Sequence, residues 1–164
     1  MPFLNMASFK ALTYNCKGLQ QKNKRVNIFN YIADKIQGGL CFLQETHSSP
    51  ECVDVWKKEW DGEMFFSHGT SNSTGVAVCF SKNFDIDLIK FSADDSGRII
   101  ILEISYNDDK YLLINLYNDN SEGNQLVTIQ KLNDLLEGHD PDGECLPIFG
   151  GDFNLFFDIL LDTN

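Results

Sequence analysis

Apolar and polar positions change period in an orderly way along this chain. Residues 8–15 mix Phe9, Ala11, Leu12 and Tyr14 with polar neighbours and read as a first strand ending at Cys16-Lys17-Gly18. Val26, Phe29, Ile32, Ala33 and Ile36 then recur at helical spacing, and Gly38-Gly39 supplies the stop. Residues 40–43 form a short buried strand, after which Ser49-Pro50 predicts a helix start with Val53, Trp56 and Trp60 on one face. Five β-prone runs follow, at 63–67, 75–81, 86–91, 98–105 and 111–116, and their turn-rich connections predict consecutive antiparallel strands. A helix with Leu126, Ile129, Leu132 and Leu136 on its apolar face is closed by Gly138 and leads into a strand at 146–149. This order predicts an α+β layered architecture, sheets with helices on their outer faces.

Composition narrows the class. A chain of 164 residues holds one ordinary domain, and 43% hydrophobic content is enough to give it a core. The domain is placed at 8–164, with 1–7 as an N-terminal extension. No apolar stretch approaches the ~20 residues of a membrane span, and the N-terminus lacks the pattern of a secretory signal, so the expected location is intracellular, nucleus or cytoplasm, with no membrane partner. Five cysteines, with no C-x-x-C spacing, read as reduced core residues rather than zinc ligands. The net charge of −11 opposes a broad basic surface for nucleic acid, while supplying carboxylates of the kind a metal site uses.

The candidate chemistry lies where apolar strands end. The first ends in Asn15, the second in Glu45, the strand at 111–116 in Tyr117 and Asn118, and the last in Gly150-Gly151-Asp152-Phe153-Asn154. Strand ends in a layered fold converge on one rim while the strands stay rigid. An oxygen-rich set of this kind suits a hard cation, Mg²⁺ with Mn²⁺ as the alternative, and such an ion favours phosphate-ester hydrolysis. Taken singly, Asn15 reads as a turn residue, Glu45 as a solvated strand end or capping acid, and Tyr117 as a rim residue. Asp152 resists such a reading, because two glycines bring the backbone tightly to the rim just before it. His47 and His68 are weaker candidates, and His139 reads as a helix-terminal residue.

Five motifs, Tyr14-Asn15-Cys16-Lys17-Gly18-Leu19, Leu43-Gln44-Glu45-Thr46-His47, Gly75-Val76-Ala77-Val78, Asn115-Leu116-Tyr117-Asn118 and Gly150-Gly151-Asp152-Phe153-Asn154, resemble in order and spacing the endonuclease/exonuclease/phosphatase superfamily. Ser67-His68-Gly69 adds a likeness to the apurinic-type endonuclease domain of LINE-type non-LTR retrotransposons. The resemblance implies a DNase-I-like four-layer α/β/β/α sandwich and Mg²⁺-dependent nicking of DNA that leaves a 3′-hydroxyl and a 5′-phosphate. By the same resemblance Glu45 is the main metal ligand with Asn15 beside it, and Tyr117 contacts the scissile phosphate. Asp152 and Asn154 serve the attacking water, Asn120 and His68 lie near substrate, and a reverse transcriptase domain is expected in the parent polyprotein.

The family completes its site with a second Asp and a final Asp-His pair, whereas all three histidines here precede Asp152. The expectation is therefore a C-terminally truncated domain of weak or no activity, with Phe156, Phe157, Ile159, Leu160 and Leu161 poorly buried. The alternatives are a phosphatase or phosphodiesterase on a lipid or small phosphoester, and a non-catalytic remnant that binds a partner through its uncovered sheet.

Overall fold

The computed structural model describes residues 8–70 and 72–154; the expected N-terminal extension and the apolar run from Phe156 to Leu161 lie outside them. Two four-stranded sheets face each other. The first has the order β1-β2-β4-β3 and comprises β1 (Lys10–Asn15), β2 (Gly39–Gln44), β3 (Glu63–Ser67) and β4 (Val76–Phe80). The second has the order β5-β6-β7-β8 and comprises β5 (Asp87–Ala93), β6 (Ile99–Tyr106), β7 (Asp109–Tyr117) and β8 (Leu146–Asp152). Helices α1 (Lys22–Lys35) and α2 (Val53–Trp60) cover the first sheet, and α3 (Glu122–Leu136) the second.

Strand alternation builds three apolar layers from this order. On β2, Cys41 and Leu43 pack outward with Phe29, Ile32, Trp56 and Trp60, while Leu40 and Phe42 face the other sheet. On β6, Ile100, Leu102 and Ile104 meet them across the central layer, while Ile99 and Ile101 turn toward Leu132 of α3. The result is the four-layer α/β/β/α sandwich that the motif resemblance implies.

Two expectations need correction. The five β-prone runs do not form one antiparallel meander: β4 pairs with β2 and β3, and β5 crosses to the second sheet. Local periodicity specifies a strand but not its partner, and the connection at 81–86 carries the chain between layers. The apolar face of α3 is also turned from the expected one. Leu126 and Ile129 are exposed, whereas Thr128 and Leu132 are buried, with Leu135 and Leu136 packed beside them. Thr128 can enter the core because its hydroxyl donates to the Asn124 carbonyl at 3.0 Å and leaves its methyl free to pack.

The second helix begins with a 3₁₀ turn at Pro50–Cys52, and Ser49 makes no side-chain cap, so Pro50 alone marks its start. All five cysteines are unpaired thiols, and Cys16, Cys41, Cys79 and Cys145 are buried. No helix among the described residues is long and apolar enough to cross a membrane.

Candidate active site

The parallel pairs β1–β2 and β7–β8 point their carboxyl ends at the same rim, with Asn15 in register with Gln44 and Tyr117 in register with Asp152. Each sheet thus contributes two of the four strand ends. Glu45 leaves β2 through a bulge. Leu43 pairs with Ala77, and the Thr46 amide donates to the Gly75 carbonyl at 2.9 Å, so Gln44 and Glu45 together stand opposite Val76. Glu45 takes the left-handed conformation, φ 50°, costly for a residue with a side chain, and the bend re-aims its carboxylate.

At the β8 end both glycines are required. A β-carbon on Gly150 would run into the Phe42 ring, and one on Gly151 into the Leu116 carbonyl. The close approach they permit is what seats Asp152 beside Tyr117.

The four side chains meet. The Asn15 carboxamide donates from a single nitrogen to Glu45 Oε1 at 2.8 Å and to Asp152 Oδ2 at 3.1 Å. Its oxygen accepts the Lys17 amide at 3.1 Å, so Asn15 closes the local turn and bridges the two acids at once. Tyr117 donates its hydroxyl to Glu45 Oε1 at 3.1 Å. Burial, reinforced by the neighbouring Glu45 carboxylate, pushes the Tyr117 phenol up to about 12, which keeps it a proton-bearing donor at neutral pH. Arg98 buttresses it from behind. Its guanidinium lies 5.2 Å from the Tyr117 ring centroid, donates to the Tyr117 carbonyl at 3.3 Å and pairs with Asp119 at 2.7 Å.

The other expected residues stand at varying distance from this group. Asn154 lies next to it: its backbone amide donates to Asp152 Oδ1 at 3.3 Å, while its side chain donates to the Asn118 carbonyl at 2.8 Å. Asn120 is exposed. His68 stacks on Phe66 and shares a hydrogen bond of 3.0 Å with Ser48, joined to neither acid, and His47 packs against Gly18. His139 bonds Ser92 on β5, away from the rim.

Residues that sequence reasoning left without a role also shape the site: Gln44 and Asn115 inside the core, Arg98 behind Tyr117, and Asn118, whose amide donates to the Asp152 carbonyl at 2.9 Å. For Gln44 and Asn115 the signal was polarity at positions whose alternation points inward; Arg98 and Asn118 lie just outside their strands and carried none.

The donor set fits a hard cation. Two carboxylates gather with no Lys or Arg in ion-pair range of Glu45 or Asp152 among the described residues, while Asn15 turns its amide nitrogen and Tyr117 its hydroxyl proton toward them. Oxygen ligands without a resident counter-charge are what Mg²⁺ or Mn²⁺ takes up. Soft metals have no such group, and burial pushes the adjacent Cys16 thiol up to about 12, which keeps it neutral.

This architecture is shared with known proteins. The structure of D. rerio TDP2 complexed with single-strand DNA product matches with a TM-score of 0.63 at 18% identity, over 89% of this chain and 61% of that one. An endonuclease/exonuclease/phosphatase family protein from Bacteroides thetaiotaomicron matches with a TM-score of 0.63 at 12% identity, over 88% and 63%. The fold of this chain is therefore DNase-I-like, as in these proteins.

Within that fold one match is a retrotransposon endonuclease domain, and a sequence relative is a transposon protein. The endonuclease domain of TRAS1, a telomere-specific non-LTR retrotransposon, matches with a TM-score of 0.61 at 16% identity, over 92% of this chain and 61% of that one. In sequence the chain is 32% identical over 148 residues to the transposon TX1 uncharacterized 149 kDa protein of Xenopus laevis, covering 89% of this chain and 11% of that protein. It thus spans a small part of that relative and less than two thirds of these solved chains. No family model matches it.

Proposed function

We propose that this chain carries the metal-side part of a Mg²⁺-dependent phosphodiesterase whose substrate is DNA, a nicking endonuclease of the retrotransposon type. The observation that carries this reading is the single Asn15 nitrogen shared by Glu45 and Asp152, with the Tyr117 hydroxyl on the same Glu45 oxygen. Glu45 would hold the ion, with Asn15 beside it. When bound, the ion supplies Lewis-acid neutralisation of the charge that grows on the phosphate during in-line attack. Tyr117 would turn its hydroxyl from Glu45 to a phosphate oxygen. Asp152, with Asn154 adjoining, would orient the attacking water. Attack forms a new P–O bond and breaks the bond to the 3′ oxygen, which leaves as a hydroxyl.

None of the three histidines is joined to the acid pair. A group that moves the proton to the leaving oxygen is typically worth ~10²–10⁴ in rate. This chain by itself therefore nicks weakly or not at all, and a longer protein that adds a histidine to the rim cuts. The test is Mg²⁺-dependent relaxation of supercoiled DNA by this chain and by a transposon protein containing it. Cutting by the longer protein that disappears with Glu45→Ala is the expected result, and cutting indifferent to Glu45→Ala sinks the reading.

The net charge of −11 favours a second reading, a small or lipid phosphoester as substrate. Phosphate release from such esters by the longer protein, with DNA left intact, would replace the first reading with this one.

A further inference from the structure

Two carboxamides lie where the central apolar layer should be driest. Gln44 is 1% exposed and Asn115 is fully buried, and both occupy inward positions of their strands, Gln44 after Leu40 and Phe42, Asn115 after Tyr111 and Leu113. Burying an amide is unfavourable unless its hydrogen bonds are satisfied, and apolar side chains of the same volume would fill the space at lower cost. These two are bonded across the sheets. Gln44 donates to Asn115 Oδ1 at 2.9 Å and accepts the Thr13 hydroxyl at 3.2 Å. Asn115 donates to the Leu43 carbonyl at 3.0 Å and to the Ala77 carbonyl at 2.8 Å.

The last two contacts fall at a particular place. Leu43 and Ala77 are the final pair of the β2–β4 ladder before the bulge that carries Glu45. An amide reaching from the second sheet bonds both carbonyls at the point where the strands part. The same two residues adjoin the site on either side: Gln44 immediately precedes Glu45, and Asn115 lies two positions before Tyr117 on the same face of β7.

We infer that Gln44 and Asn115 are positioning residues, an inter-sheet clasp that holds the bulge open and sets Tyr117 and Asp152 of one sheet against Glu45 and Asn15 of the other. The inference rests on the reading of the rim as an active site, but its geometric content does not depend on catalysis. Apolar packing between sheets tolerates small slips, because dispersion is non-directional. A metal site does not tolerate them, since ligands must be held within ~0.5 Å. The clasp supplies the directional contact that the surrounding leucines, valines and phenylalanines lack.

The test reads the side-chain amide NMR signals of Asn15 in the isotope-labelled 164-residue chain, assigned by their response to Glu45→Gln. Asn115→Leu and Gln44→Met replace each amide by an apolar side chain of similar size. Both variants should keep the near-ultraviolet circular dichroism of Trp56 and Trp60, which pack on the far side of the first sheet. Both should shift the Asn15 signals toward those of a free amide and weaken Mn²⁺ binding about 10–100-fold, as loss of an outer contact does at other metal sites. The double variant should add little beyond either single one, because one link is being cut twice. Folded variants with unshifted Asn15 signals overturn the inference. Failure of both single variants to fold also overturns it, because the amides would then serve sheet pairing as a whole. A wild-type chain that ignores Mn²⁺ while its Asn15 signals still respond to Asn115→Leu defeats the functional reading and leaves the clasp standing.

Discussion

Two clusters of charged residues in this chain are built on opposite principles. Between α1 and α2, Arg25 and Glu59 are nearly enclosed, with side chains 6% and 15% exposed, and each charge has its complement. The guanidinium makes two bonds to Glu59, at 2.6 and 3.0 Å, donates to the Leu19 and Gln20 carbonyls, and lies over the Trp56 ring. Hydrogen bonds from Arg25 hold the Glu59 carboxyl below the usual range. At the rim, Glu45 and Asp152 share one neutral amide and, among the described residues, no cation, and Glu45 sits on strained backbone. The first cluster has satisfied its electrostatics internally, whereas the second leaves an attraction for a positive charge from outside. Matched charges mark structure, and gathered, unmatched ones mark a site.

The widest effect should come from breaking the matched cluster. Arg25→Ala leaves Glu59 without its partner and removes four hydrogen bonds. Because Arg25 is buried while Glu59 keeps contact with solvent, the loss should be about 1.5–3 kcal/mol, the range for hydrogen bonds to charged groups, read as a lower urea midpoint. A loss below ~1 kcal/mol would mean the pair behaves as a surface bridge and the contrast fails.

Glu45→Gln sharpens the comparison from the other side. It removes one of two like charges while keeping shape, so stability should hold or rise by up to ~1 kcal/mol, and Mn²⁺ binding should be lost. The Tyr117 phenol should fall from about 12 toward the ordinary tyrosine value, only in part, because burial is the larger cause of its shift. Ultraviolet titration with Tyr117→Phe as the blank measures it. An unchanged phenol would show that the Tyr117–Glu45 contact contributes nothing.

These two clusters were unequally legible in the sequence. The strands and helices could be placed because each carries its own period, and Asp152 stood out because two glycines after an apolar run have few uses other than a close approach. Arg25 could not be singled out, since a cation within Lys22-Asn23-Lys24-Arg25 looks like solvated surface and its partner lies 34 positions away. The division of the middle strands between two sheets was hidden because pairing is decided by the whole fold. Gln44 and Asn115 were hidden for a related reason: one polar letter inside an apolar run resembles noise until a second, 71 positions on, is seen facing it. The five motifs located the rim, but the bulge that aims Glu45 appears only once β4 is laid beside β2.

His139 lies between the two principles and gives the smallest effect. Its ring is buried beside β5 and β6, with Nε2 bonded to Ser92 at 2.9 Å. Its Nδ1 has no hydrogen-bond partner among the described residues, and Glu103 stands 3.6 Å away. Burial lowers the His139 pKa, the positive charge of Lys90 lowers it further, and Glu103 only partly opposes them. The folded chain therefore binds this proton less readily than the unfolded chain, whose histidine titrates near ~6.5. The stability it contributes is fully present above that value and is lost as pH falls through the lower folded value. Burial lowers the His68 pKa as well, so urea unfolding of the His68→Gln chain between pH 7.5 and 5.5 should show a shallow decline that adding His139→Gln flattens, because a carboxamide can keep the Ser92 bond without titrating. A decline that survives the substitution would assign the proton elsewhere, and a rise in stability on acidification would make His139–Glu103 a matched pair like Arg25–Glu59.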